Sequence, residues 1–108
     1  MTITVAQKIL VVLTIPPSLE EPIVDWLLEK HKTGFTSQPV SGHSNQLEGL
    51  SPAEQVAGRR RRVQFQIELN TNAVDSFLES AASEFDGADI HYRVVPILAA
   101  GHLVPSAG

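Results

Sequence analysis

Apolar residues gather in six stretches along the chain, and their spacing switches between the periods of strands and helices. Lys8-Ile-Leu-Val-Val-Leu-Thr-Ile15 is almost continuously apolar and rich in β-branched residues. Such a run suits a strand covered on both faces or lying at the centre of a sheet. Pro16-Pro17 stops it. Leu19, Ile23, Trp26, Leu27 and Lys30 then recur at three- and four-residue steps, which predicts one face of a helix. Ser18 and Glu21 have the spacing of a capping box at its start. Pro22 fits a first helical position better than a fourth, which moves the expected start nearer Glu21. His31 to Gly34 end the helix. Phe35 to Ser41 is weakly apolar and holds Pro39, the pattern of an edge strand.

Arg62-Val-Gln-Phe-Gln-Ile-Glu-Leu69 alternates without a break, with Val63, Phe65, Ile67 and Leu69 on one face. Asn70-Thr71-Asn72 punctuates and is expected to cap a helix. Val74, Phe77, Leu78, Ala81, Ala82 and Phe85 mark that second amphipathic helix, closed by Asp86-Gly87. Asp89 to Val95 reads as the last strand, with Pro96 ending it. Two right-handed crossovers over an antiparallel sheet turn this order into a ferredoxin-like βαββαβ sandwich of the α+β class. Both helices are expected on one face of the sheet. The other face is half apolar, through Val95 and either Leu10 or Val11, which suggests burial against partner subunits. Trp26 and Tyr92 are expected to pack in the core or an interface.

Length and composition fit one domain with a core over about 8–98, an arm over 42–61 and a loose tail over 99–108. Apolar content of 43% and charged content of 19% are ordinary for a globular chain. The absence of cysteine excludes disulfides, Cys-ligated zinc, iron–sulfur clusters and thiol nucleophiles. No apolar run approaches the roughly 18 residues of a membrane span. The first residues lack a cationic start and a cleavage site, so the expected setting is the cytoplasm. A formal charge of −4 argues against nucleic-acid binding.

The arm breaks the otherwise short connections, and loops of more than about 12–15 residues in compact domains are usually functional or disordered. Ser51-Pro52-Ala53-Glu54 carries a helix-start signal within it, expected to form a short helix ending at Gly58. His43, Glu48, Leu50, Ser51 and Glu54 are the candidate residues for docking a partner protein. Arg59-Arg60-Arg61-Arg62 closes the arm. Guanidinium forks suit phosphates and carboxylates, so Arg59, Arg60 and Arg62, with Arg93, are candidate anion ligands. The competing reading is a salt-bridged strand end paired with Glu48, Glu54 or a neighbouring subunit's acids. Four histidines lack the close spacing of metal ligands. His43, His91 and His102 become candidate zinc or copper ligands only if subunits bring copies together. No serine sits in a nucleophile context, so no enzyme is expected. Thr14-Ile15-Pro16-Pro17 also lacks the N–H groups of an acylphosphatase-type phosphate cradle.

The strand order with a long arm after the second strand resembles the PII-like signalling superfamily. Ser41-Gly42-His43-Ser44 stands where PII proteins open their mobile loop, and Val95-Pro96-Ile97 matches the segment after their last strand. Pro16 to Glu21, Val40 to Ser44, Glu48 to Ser51 and Ala53 to Val56 are similar to an uncharacterised PII-like bacterial family, its members often encoded beside heavy-metal efflux pumps. That resemblance implies a homotrimer with ligand clefts between subunits and a small-molecule or metal ligand. It further implies an arm that meets a partner such as a membrane transporter or efflux pump. The glycine- and lysine-rich nucleotide loop of PII proteins is missing, since Phe85-Asp86-Gly87-Ala88-Asp89 takes its place. No cofactor is indicated.

Overall fold

The computed structural model describes residues 8–31, 33–43 and 59–105. Glu48, Leu50, Ser51 and Glu54, and with them the expected helix inside the arm, lie outside the described residues. The elements follow the expected order. They are β1 (Lys8–Ile15), α1 (Glu20–Trp26), β2 (Phe35–His43), β3 (Arg59–Asn70), α2 (Val74–Glu84) and β4 (His91–Ile97). The sheet runs β2-β3-β1-β4 with every neighbouring pair antiparallel, the ferredoxin-like arrangement.

β1 lies at the centre, as its continuous apolar run requires. Val11, Leu13 and Ile15 on one face are at most 2% exposed. Val63, Phe65 and Ile67 of β3 pair with or adjoin them and are buried with Ile23, Trp26 and Leu27 of the first helix and Val74, Phe77 and Ala81 of the second. On the other face stand Leu10, Val12, Glu68, Gln66, Val95 and Ile97. Leu10, not Val11, is therefore the open-face residue. Val12 is still only 9% exposed, because it sits mid-sheet between Gln66 and Arg93 in the strand register.

The ends of elements depart from the sequence reading in physically instructive ways. Ser18 and Glu21 do not form a capping box. Pro17–Leu19 makes a 3-10 turn in which the Leu19 N–H donates to the Pro16 carbonyl at 3.0 Å, and Leu19 becomes the N-cap with no side-chain bond. The helix starts at Glu20, which puts Pro22 at its third position. That position is tolerated because the first four helical N–H groups have no intrahelical acceptor. Past Trp26 the helix widens into a π-helical turn over Leu27–His31. The wider turn brings His31, rather than Lys30, under Trp26, and Lys30 is exposed. Asn70 supplies no side-chain cap either, and a 3-10 turn over Thr71–Ala73 leads into α2.

β2 and β3 run further than expected, to His43 and from Arg59, and pair as a two-stranded ribbon past the end of β1. β4 is shifted by two residues and carries Pro96 inside it, opposite Ile9. An edge strand tolerates a proline because one side of its backbone pairs with nothing in the sheet. Tyr92 faces the helical side with Leu13 but is 61% exposed, so it is not a core residue; Trp26, at 5%, is.

Candidate functional site

The ribbon at the base of the arm positions the charged residues. Strand alternation sends Arg60 and Arg62 to the open face, and β1 has already ended at Ile15, turned away by Pro16 and Pro17. Opposite that gap, in line with Pro16 by continuation of the β1–β4 register, lies Asp89. Both arginines converge on one oxygen of it. Arg60 Nη1 is 3.9 Å and Arg62 Nη2 is 3.8 Å from Asp89 Oδ2. His91 Nε2 lies 3.1 Å from Asp89 Oδ1. The Arg62 side chain is 13% exposed, Arg60 32% and Asp89 52%, so the cations lie deeper than the acid that faces them. Arg62 Nη1 donates to the Arg61 carbonyl at 2.6 Å, which fixes the guanidinium against the ribbon.

A cleft of about 590 Å³ is lined by Pro17, Glu20, Pro39, Val40, Ser41, Arg61, Arg62 and Val63. Pro39, Ser41, Arg61 and Val63 belong to the helical face, so it opens across the ribbon from Asp89, which is not among its lining residues. Another cleft, of about 360 Å³ between α2 and β4, is lined by Leu13, Leu78, Ala81, Phe85, Ile90, Tyr92 and neighbouring residues. That lining includes no cation.

The candidate residues from the sequence divide accordingly. Arg60 and Arg62 come together. Arg93 shares their face, but its place beside Val12 and Gln66 is four residues along the sheet, roughly 13 Å from Arg62 along the strand. Arg59 pairs with His43 at the end of the ribbon, and its side chain lies outside the described residues. His43 and His102 are exposed, at the ribbon tip and in the tail respectively. Among the described residues no three histidine or carboxylate side chains gather as metal ligands. Asp89 and His91 make a pair, but two guanidiniums stand beside it and repel a divalent cation.

Asp89 is the residue that sequence reading missed. It counters Arg60 and Arg62, while Glu48 and Glu54 lie outside the described residues. The signal was present: Pro16-Pro17 ends the pairing of β1 early, so an acid just before β4 stands level with Arg62 of β3. The connection carrying Asp89 is no phosphate cradle. Its Ala88 N–H donates to the Phe85 carbonyl at 3.0 Å and its Ile90 N–H to the Ala88 carbonyl at 3.1 Å, so these donors are engaged internally. Gly87 there adopts φ +81°, a left-handed turn conformation that glycine allows.

A second polar feature lies in the helical layer. His31 Nε2 is buried without a hydrogen-bond partner, and its ring packs edge-on against Trp26 at 4.5 Å and Phe77 at 4.9 Å between centroids. Burial lowers its pKa below the usual histidine value. This is packing chemistry, remote from the arginine cluster in the order of elements.

Solved structures with the same fold include a DUF3240 family protein from Shewanella baltica, 23% identical, with a TM-score of 0.73 over 92% of this chain and 99% of that one. A PII protein from Arabidopsis thaliana bound to citrate is 17% identical, with a TM-score of 0.63 over 85% of this chain and 78% of that one. CutA from Synechococcus elongatus is 11% identical, with a TM-score of 0.68 over 92% and 85%. No curated protein matches the chain. The three structures share the ferredoxin-like fold expected from the sequence. The family model that describes a protein of unknown function, DUF3240, matches residues 5–104, and the chain belongs to that family.

Proposed function

We propose that the chain is a non-enzymatic regulatory protein that works as a cytoplasmic homotrimer and takes a small anionic ligand at Arg60 and Arg62. Its arm relays the bound state to a partner such as a membrane transporter. The observation that carries this reading is the convergence of two guanidiniums at the arm's base on a single exposed carboxylate. Two guanidiniums against one carboxylate leave the cluster net positive. Arginine forks accept carboxylates and phosphates with paired hydrogen bonds. The PII structure of the same fold is bound to citrate, a carboxylate ligand, which makes this class reasonable for the present chain. The arm joins β2 to β3, the strand that carries both arginines, so a ligand there bears directly on the ribbon. No helix among the described residues is long and apolar enough to cross a membrane, consistent with a regulator that meets a transporter from outside it.

The test is a calorimetric titration of the full chain with citrate, pyrophosphate and ATP. Micromolar to low-millimolar binding of at least one, lost in the double variant Arg60→Gln/Arg62→Gln, is the expected result. Absence of heat with all three anions, or undiminished binding in the double variant, overturns the reading.

A further inference from the structure

We infer that Asp89 is a built-in competitor at the arginine pair, so that the site selects polyanions and rejects ligands with a single carboxylate. This rests on the anion reading above and names the ligand class and the residue that sets it.

The geometry of the gap is the first support. Two inter-strand spacings separate β3 from β4 beyond the last paired residues of β1, about 10 Å, and arginine side chains bridge that distance only when extended toward β4. Asp89 lies at the far side of the gap, level with Pro16, and meets both arginines through the same Oδ2. It thus occupies the position that a ligand oxygen bridging the two guanidiniums would take.

The distances are the second. At 3.8 and 3.9 Å the contacts lie within ion-pair range but beyond hydrogen-bond length. Asp89 offsets charge without saturating donors, and each guanidinium has five of them. Its other oxygen is drawn away at 3.1 Å by His91. A ligand that offers two or more oxygens at hydrogen-bond distance therefore makes contacts that Asp89 does not make.

The third is depth. Arg62 is largely covered, whereas Asp89 is half exposed on the solvent side of it. The carboxylate stands over the cations and is displaced into water at little cost, because exposed ion pairs shift equilibria by no more than about fivefold. With Asp89 in place the three groups sum to one positive charge, enough to retain a di- or trianion but a weak attraction for a single carboxylate. Phosphate and carboxylate polyanions share this chemistry, and the probes distinguish them.

The experiment titrates acetate, citrate and pyrophosphate into the full chain, wild type and Asp89→Asn, by calorimetry at one ionic strength. Asp89→Asn is expected to tighten citrate or pyrophosphate about three- to fivefold and to bring acetate binding into the measurable range. Asp86→Asn removes the same charge from the same connection and is expected to leave affinities unchanged. Arg62→Lys keeps the charge without the fork and is expected to weaken binding in both backgrounds, with unchanged circular dichroism showing that the variants fold. Polyanion binding that Asp89→Asn leaves unchanged or weakens overturns the competitor role while the anion site stands. An equal gain in Asp86→Asn also overturns it, by assigning the effect to overall charge. Binding of no anion by either protein overturns the anion site itself.

Discussion

A single histidine shows how one residue's surroundings set a measurable property. His31 is held by the π-helical turn with its Nε2 covered and unpartnered against Trp26 and Phe77. Desolvation favours the neutral ring, so the folded-state pKa lies below the unfolded value of 6.5. The unfolded chain then binds more protons as pH falls. Stability is fully present above pH 6.5 and is lost as pH drops from 6.5 through the lower folded value. Thermal melts from pH 7.5 down to 5.5 should show Tm falling, and His31→Phe should flatten part of that slope while keeping the aromatic contact. An identical slope in the variant would assign the pH response to other groups. At this scale the sequence was legible where periodicity is simple: Val63, Phe65 and Ile67 are buried on alternate positions, as expected. It was misleading at Lys30, because an ordinary α-helical period was extended through a turn that is wider than α.

At the scale of elements, existence and order could be read from the chain, and the ends could not. Periodicity reports which face an interior residue takes, but ends are decided by neighbours. β3 reaches back to Arg59 because β2 continues beside it to His43, and β4 includes Pro96 because it is an edge. The start of α1 shows the same rule with a consequence for stability. Ser18 and Glu21 have capping-box spacing, yet the 3-10 turn at Pro17–Leu19 already satisfies the backbone there, and no side chain caps the helix. Replacing a working N-cap serine by alanine costs about 1 kcal/mol. Ser18→Ala should instead stay within about 0.5 kcal/mol of wild type, as for surface changes away from specific features. Phe65→Ala, which empties a fully buried position in β3, should cost about 3–5 kcal/mol in the same urea titrations. A loss of about 1 kcal/mol or more in Ser18→Ala would show that the hydroxyl caps the helix after all.

At the scale of the molecule, the helical layer covers one sheet face and leaves the other with a mixed surface. Leu10, Val95 and Ile97 stand there, beside the largely covered Val12, among Gln64, Gln66, Glu68 and the arginine cluster. Exposed apolar patches of this kind mark association surfaces, and the homotrimer implied by the PII-like resemblance would cover this one. Three copies of 11.7 kDa give an assembly of about 35 kDa, which sizing with light scattering reads directly. Val95 is 40% exposed in the single chain, so aspartate there costs the isolated fold little. In a trimer closed over this face, the same change buries an unpaired charge in each subunit, a penalty of several kcal/mol apiece. Val95→Asp should therefore fall to about 12 kDa with its circular dichroism unchanged. A wild-type protein that elutes as a monomer removes the trimer from the proposal, and a Val95→Asp protein that stays trimeric moves the interface to another face. The dissociated variant also divides the site from the assembly. Asp89, Arg60 and Arg62 meet within one chain, so a monomer that still binds citrate carries the whole anion site itself. A monomer that loses citrate takes the remaining contacts from its neighbours, and ligand binding and assembly then become a single linked equilibrium.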